Sequence, residues 1–484
     1  MPRLFPRNSL HFLGPQVYNR RERMDGGLMY IVIVGDGKVG HALAAHLVAE
    51  DHQVAIVERS EQVLHRNQDL LDALYIKGSG VSVETLREAE ITRADIVIAV
   101  TVSDEINMLV CLTAKRLGAR YAIARIRDPE YNRSQRFLME ELLIDYILNP
   151  ERTMALEISR ILRYPFSGSV ETFARGQVEM MDFRVAKEDG FAGIALKDLL
   201  RVKKHLPQVL VCAVEREGEA IIPKGDFSFK EGDRVFVVSD VATITAFFAA
   251  IGKNTTKISS VMIVGGGRIT YYLARILLEM RVAVSIVEIN PDRARELTEM
   301  LPEANIILGD GTDQEVLVDE GLLRHDAFIT LSGRDEDNIM SAFYAAQNGV
   351  RKVVVKNNHD NYSPILGLMG LDSAVNTKTV TSNTILRTVR TRSGAAGPNQ
   401  VQRLYRLMDG KAEALEFIVS GAEPFIGVPL KNLKVASSAL VGVIVRSGKV
   451  RIPFGEDRFE AGDRVIVITK ENGVNELGEV IKKG

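Results

Sequence analysis

The sequence predicts an α/β fold: two Rossmann-type doubly wound parallel sheets, each followed by a small β-rich α+β domain, in tandem repeat. Three observations predict it. The chain repeats itself from end to end with a period of about 230 residues. Each copy opens on a short apolar run that ends in a glycine-rich turn. Behind each turn, apolar runs of strand length alternate with helical segments, a pattern that implies a parallel sheet with right-handed crossovers.

The repeat is visible in many places. Gly35 aligns with Gly265 and Glu58 with Glu288. Asp104-Glu105-Ile106-Asn107 aligns with Asp335-Glu336-Asp337-Asn338, and Arg125 with Lys356. Later, Phe191-Ala192-Gly193 matches Phe425-Ile426-Gly427, and Gly232-Asp233-Arg234-Val235 matches Gly462-Asp463-Arg464-Val465. Agreement of this extent outweighs any single motif.

Along the first copy, Tyr30–Val34 reads as a buried parallel strand before glycine. A helix over His41–Glu50 carries Leu43, Leu47 and Val48 on one face. Further strands fall at Gln53–Glu58, Ala73–Ile76, Ile96–Val100, Tyr121–Ile126 and Tyr146–Leu148. A helix within 149–165 then presents Met154, Ile158, Ile161 and Leu162 on one side. It suits either a crossover helix leaving the sheet or ordinary packing against its own domain. From Val178 to Asp240 the pattern turns to strands, at Val178–Val185, Val209–Glu215, Ala220–Ile222 and Arg234–Val238, with a short helix near Leu196–Val202. The expected organisation is a flexible extension (1–28), a first Rossmann domain (29–165), a first small domain (166–252), a second Rossmann domain (258–395) and a second small domain (400–484).

Composition narrows the function. The 61 basic and 63 acidic residues nearly cancel, which argues against a general nucleic-acid binder. No apolar run approaches the roughly 20 residues of a membrane span. Cys111 and Cys212 sit in apolar runs with no metal-ligand spacing and read as reduced, buried thiols. The first 28 residues carry Arg3, Arg7, Arg20, Arg21 and Arg23 without periodicity or a secretory apolar core. Either Met29 is the natural start or they form a flexible arm.

The glycines carry the chemistry. Gly35-Asp36-Gly37-Lys38-Val39-Gly40 fits G-x-G-x-x-G between a strand and a helix. The first glycine permits the turn, the second lets backbone approach a pyrophosphate, and the third lets helix and sheet pack closely. The helix N-terminus offers free N–H groups to an anion. Glu58, at the end of the second strand, can accept hydrogen bonds from ribose hydroxyls and would repel a 2′-phosphate, favouring NAD(H) over its phosphorylated form. ATP or ADP would satisfy the same contacts. The second copy has Gly265-Gly266-Gly267-Arg268-Ile269-Thr270, with Thr270 in place of the third glycine; Glu288 keeps the ribose acceptor. Its site is expected to survive with a shifted helix, the alternative being a structural Rossmann domain with a weakened pocket.

Thr101 to Asp104 and Ser332 to Asp335 fit a capping box after the fourth strand of each copy. The same loop, at Thr101 and Val102, lies on the carboxyl edge where ligands bind. Arg125 and Lys356 end the fifth strands on that edge and could meet a phosphate. Gly78 and Ser79, after the third strand, and Asp310 in the second copy complete the candidate contacts. No acid–base residue accompanies the presumed nicotinamide position, and the eight histidines are scattered. Nucleotide sensing is therefore favoured over an NAD-dependent oxidoreductase or a purely structural scaffold.

VIVGDGKVG, Glu58, Gly78-Ser79-Gly80, TVSDEINM, ARIRDPEY and the helix ending ILRYP, in that order, resemble the bacterial Trk potassium-uptake regulators, and each half resembles an RCK module (KTN plus TrkA-C). The resemblance spans Met29 to about the C-terminus and is looser in the second half. It implies a non-enzymatic cytoplasmic subunit, peripheral on the inner face of the cell membrane. That subunit would form a homotetrameric ring under an integral-membrane potassium transporter and bind NAD(H), ATP or ADP. By it, nucleotide contacts fall on Gly35–Val39, Glu58, Thr101, Val102 and Arg125, and on Gly265–Ile269, Glu288 and Lys356.

Overall fold

Runs of buried β-branched residues build two parallel sheets. The computed structural model describes residues 28–165, 167–253, 256–371, 373–393 and 401–483. The arm before Leu28 lies outside them. The first sheet contains β1 (Tyr30–Val34), β2 (Gln53–Glu58), β3 (Leu74–Lys77), β4 (Ile96–Ala99), β5 (Tyr121–Arg125) and β6 (Tyr146–Leu148), all parallel in the order β3-β2-β1-β4-β5-β6. Strand order reverses between β1 and β4, which opens a crevice at their carboxyl ends. Both faces are covered, so Ile31 to Ile33 and Ile96 to Ala99 are fully buried.

A five-stranded antiparallel sheet follows: β7 (Val170–Phe173), β8 (Val178–Arg184), β9 (Leu210–Arg216), β10 (Glu219–Ile221) and β11 (Arg234–Asp240), ordered β10-β9-β11-β8-β7. A helix over Val241–Ala250 closes this domain, burying Ile244, Phe247 and Phe248. Sequence periodicity missed that helix because every residue in it except Thr243 and Thr245 is apolar, leaving no polar face to mark a period.

The second copy repeats the plan. Its parallel sheet holds β12 (Ser260–Val264), β13 (Ala283–Glu288), β14 (Asn305–Leu308), β15 (Ala327–Thr330), β16 (Lys352–Lys356) and β17 (Ala374–Val375), in the same order as the first. Its small domain holds β18 (Val401–Leu407), β19 (Ala412–Ile418), β20 (Leu433–Val435), β21 (Ala439–Arg446), β22 (Lys449–Arg451), β23 (Arg464–Thr469) and β24 (Ile481–Lys483). β20 and β24 pair apart from the main sheet.

The halves are interlocked rather than strung in line. The helix Pro150–Arg163 leaves its own sheet and lays Met154, Ala155, Ile158, Ile161 and Leu162 against Tyr271, Ala274 and Leu277 of the second Rossmann domain. Reciprocally, Ile385, Leu386 and Val389 of the helix Thr377–Ser393 join the core of the first Rossmann domain around Leu43, Ala44 and Leu47. Each crossover helix thus covers the other copy's glycine-loop helix. The two small domains share a further core, in which Met180, Phe236 and Val238 meet Ala414, Val443 and Ile466. Arg406 of β18 pairs with Glu50 at 2.8 Å, tying the second small domain to the first Rossmann domain.

One tyrosine locks the swap. Tyr272 Oη accepts from Asn132 Nδ2 and Asn149 Nδ2, each at 3.0 Å, and donates to the Arg127 carbonyl at 2.9 Å. Tyr272→Phe removes these hydrogen bonds while both amides keep a second acceptor, the Asp128 and Arg127 carbonyls, so a loss of about 0.5–1.5 kcal/mol is expected in chemical denaturation. An unchanged midpoint would mean that water replaces the hydroxyl.

Candidate functional site

The crevice between β1 and β4 is shaped by backbone. Gly35 sits at φ +103, and a Cβ there would stand 3.1 Å from Thr101 N, so glycine is required twice over. At Gly40 a Cβ would fall 1.9 Å from the Gly35 carbonyl oxygen. Gly37 differs: a Cβ there meets nothing within 4 Å. It is the N-cap of the helix Lys38–Ala49, and no side chain caps that end. Gly37 and Lys38 are exposed, so the first N–H groups of the helix face open space. The helix begins three residues earlier than its apolar face suggested, because the glycine turn itself serves as the cap.

Glu58 is held by two main-chain donors. Its Oε2 accepts from Asp36 N at 2.8 Å and its Oε1 from Ser60 N at 2.7 Å. A carboxylate offers about four acceptor positions, so capacity remains for a pair of hydroxyls. Glu58→Gln points an amide at one of these N–H groups. It is expected to cost about 1–3 kcal/mol of stability as well as nucleotide affinity, which denaturation and calorimetry on the same variant read separately.

Asp36 contributes backbone only. Its side chain is 1% exposed, accepts from Asn67 Nδ2 at 2.8 Å and lies 3.3 Å from His41 Nδ1. Burial, ahead of these partners, raises its carboxyl above the usual range. Gly78 and Gly80 are packing glycines, since a Cβ would meet Thr85 Oγ1 at 2.5 Å and Val34 Cγ1 at 2.2 Å respectively. Ser79 lies between them, partly exposed, its carbonyl accepting from Ser82 N. Asp310, in the matching loop, caps Thr312 through N and Oγ1 at 2.9 and 2.8 Å. Val102 stands at the lip, 85% exposed.

The loop after β4 is organised by a residue not singled out from the sequence. Asn107, fully buried, accepts from Thr101 N and Oγ1 at 2.8 and 2.7 Å and donates to the Arg125 carbonyl at 2.8 Å. Asn338 makes the same links to Ser332 N and the Lys356 carbonyl. The D-E-x-N repeat held this signal, because an asparagine kept in both copies beside an acidic pair can join two strand ends. Asp104 accepts from Arg127 N and Asp128 N at 2.8 and 2.9 Å, locking the loop after β5. The capping-box expectation is corrected here. The cap is Ser103, whose hydroxyl accepts from Ile106 N at 3.2 Å, while Thr101 is committed to Asn107. In the second copy Arg334 occupies the cap position with no side-chain cap.

Arg125 donates Nη2 to the Thr101 carbonyl at 2.6 Å, and its Nε is buried with no hydrogen-bond partner among the described residues. Burial lowers its pKa, and Arg127 adds to this; Glu151 and Asp104 oppose, while Arg268 of the second glycine loop lowers it further. Glu151 Oε2 is likewise buried without a partner among the described residues. Burial raises that carboxyl, against its own backbone N–H and the nearby cations Arg127, Arg125 and Arg268. Lys356 is lowered by burial, opposed by Asp335 and Glu151. Charges of both copies therefore act on one another across the interlock.

The second glycine loop keeps the same form. Gly265 lies at φ +94, and Gly266 N donates to Glu288 Oε2 at 2.6 Å. A Cβ on Gly267 meets nothing within 4 Å. The start of the helix has the same backbone form in both copies. The N-cap torsions are φ −68, ψ −176 at Gly267 and φ −70, ψ −175 at Gly37. Thr270 is fully buried, and its hydroxyl donates to the Gly265 carbonyl, so the larger residue meets that oxygen through a hydrogen bond. Arg268 and Ile269 begin this helix, Arg268 exposed.

No helix among the described residues is long and apolar enough to cross a membrane. The TrkA-N domain family matches residues 31–150 and 261–377, and the TrkA-C domain family matches 180–252 and 415–482. A Trk system potassium uptake protein TrkA homolog of Archaeoglobus fulgidus is 31% identical over 455 residues, covering 94% of this chain and 100% of that one. The Trk system potassium uptake protein TrkA of Haemophilus influenzae is 30% identical over 463 residues, covering 94% and 99%. A solved structure of the GsuK channel bound to NAD aligns with a TM-score of 0.58 at 18% identity, over 92% of this chain and 77% of that one, a likeness of fold. With its parallel and antiparallel sheets in tandem and both domain families matched twice, the chain belongs to the TrkA family of Trk potassium uptake proteins.

Proposed function

We propose that this chain is a non-catalytic regulatory subunit of a potassium transport system that binds NAD(H), ATP or ADP at its two glycine loops. The observation that carries the reading is the combination at β1, β2 and β5. An uncapped helix start faces open space at Gly37, a carboxylate is fixed beside it at Glu58, and the half-buried cation Arg125, its Nε without a hydrogen-bond partner among the described residues, ends β5. These suit a phosphate group, a ribose and a further phosphate in turn. The GsuK channel bound to NAD supports such a ligand on this fold. The second loop, with Glu288 and Lys356, offers a like site.

The family's naming supports a membrane potassium transporter as partner, and we infer that this chain acts from the cytoplasmic side as a ring of identical subunits. The ligand regulates by favouring one ring conformation. A tenfold preference at each of four sites amounts to about 5.5 kcal/mol, enough to invert a two-state equilibrium. Glu151 lies within electrostatic reach of Arg125 in its own copy and of Arg268 and Lys356 in the other, which supports coupling between the sites.

Calorimetric titration of the full chain with NADH, NAD, ATP and ADP tests the reading. Saturable binding without hydride-transfer turnover is the expected outcome. Absence of binding by all four leaves only a scaffold, and turnover makes the protein an oxidoreductase.

A further inference from the structure

We propose that the first glycine loop, and not the second, passes its occupancy to the small domain of the other copy, through a helix whose far end is held there by a buried charge triad. The proposal rests on nucleotide binding at the glycine loops and gives the two loops different roles in regulation.

The helix Lys38–Ala49 has a ligand end and an anchored end. It starts at Gly37, where a phosphate would meet its free N–H groups, and Glu50 is its C-cap. Its 12 residues span about 18 Å. A carboxylate is disfavoured at a helix C-terminus, where the peptide dipoles gather partial negative charge. Glu50 sits there nonetheless, its side chain 7% exposed, because Arg406 of β18 answers it at 2.8 Å. Arg406, 13% exposed, also lies 3.5 Å from Glu413 of β19, which is fully buried and stands opposite it in the strand pairing. Parting buried charges leaves each of them uncompensated, which is strongly unfavourable. A shift of the helix on binding a phosphate therefore draws Arg406 and β18 with it.

The other junction has the same backbone plan and different chemistry. The helix Arg268–Glu279 starts at Gly267 and is C-capped by Met280, 44% exposed. In the first small domain Thr172 of β7 stands opposite Glu179 of β8, the register that Arg406 and Glu413 hold in the second. Met280, Thr172 and Glu179 thus take the places of Glu50, Arg406 and Glu413, and no ion pair can form among them. Glu179 turns to its own copy instead, its Oε1 accepting from Tyr164 Oη at 3.0 Å. Apolar packing braces both helices, but it is non-directional and tolerates a slide. A charge-assisted hydrogen bond fixes distance and direction, and of these two helix ends only Glu50 has one to the other copy's small domain.

The test isolates each loop in the full chain: Gly267→Val leaves only the first loop open, and Gly37→Val only the second. Each variant is titrated with NADH and with ATP by calorimetry, and hydrogen exchange is followed with and without saturating nucleotide. Occupancy of the first loop should change exchange at residues 401–407 by about fivefold or more, while occupancy of the second leaves residues 170–173 within about twofold. Glu50→Met with Arg406→Thr, which gives the first junction the residues of the second, should bring the response at 401–407 down to that level with nucleotide still bound. Should that pair fail to fold, Glu50→Gln, which keeps the shape and removes the charge, is read in the same way. Binding at the first loop with no change at 401–407 overturns the proposal and leaves nucleotide binding standing. So does a response that survives the substitutions, or an equal response at 170–173 to the second loop. Absence of binding by either nucleotide in both variants overturns the proposal together with the reading it rests on.

Discussion

Gly37→Val should abolish nucleotide binding at the first glycine loop while leaving the fold standing. The reason lies in the difference between neighbouring glycines. A side chain at Gly35 must adopt φ +103 and crowd Thr101, and one at Gly40 collides with a carbonyl oxygen at 1.9 Å. Gly37 has an ordinary φ of −70 and an empty hemisphere above its Cα. Valine is a poorer N-cap than glycine, a cost of about 1 kcal/mol. Its two methyl groups would fill the space through which a pyrophosphate reaches the helix N-terminus. Affinity is expected to fall at least a hundredfold, about 2.7 kcal/mol. Calorimetry should then show half the stoichiometry of the parent if the second loop also binds, and Gly267→Val should remove the remainder. Undiminished affinity in the double variant would place the nucleotide elsewhere.

How much of this was legible follows from what each signal encodes. The parallel sheets were readable because both faces are buried, which makes β1, β2 and β4 largely apolar runs, the first of them closed by glycine. The glycine loop was readable because it demands a residue type at fixed spacing. Strands of the small domain were placed within about two residues, yet β7 escaped, being four residues long with polar Glu171 and Thr172 half-buried inside it. Asn107 escaped for a different reason: its role is to bridge two strand ends that are adjacent only in the folded sheet. The destination of the helix Pro150–Arg163 could not be read at all. An apolar face records that something covers it and says nothing about which copy does. Asp36 shows the converse limit. An acidic residue inside a phosphate loop invites a functional reading, and only packing reveals that its carboxylate turns inward to Asn67.

Ile158→Ala should destabilise the second half of the molecule more directly than the first. Ile158 belongs by sequence to the first copy, but it is fully buried in the cluster built on β12, β13 and the helix Arg268–Glu279. Truncating a buried isoleucine to alanine costs about 2–5 kcal/mol, depending on how far the site collapses. That is a large share of the roughly 5–15 kcal/mol that holds a domain folded. Hydrogen exchange should therefore lose protection at Val261 to Val264 and Tyr271 to Leu277. Ile385→Ala, its reciprocal on the helix Thr377–Ser393, should expose Ile31 to Val34 and Leu43 to Leu47 instead. Loss confined to the substituted residue's own copy would contradict the interlocked arrangement. The exchange pattern also bears on regulation. Because each crossover helix braces the partner copy's glycine-loop helix, a ligand that shifts one loop must push on the core of the other, and the same two alanines should weaken the dependence of one site's affinity on occupancy of the other.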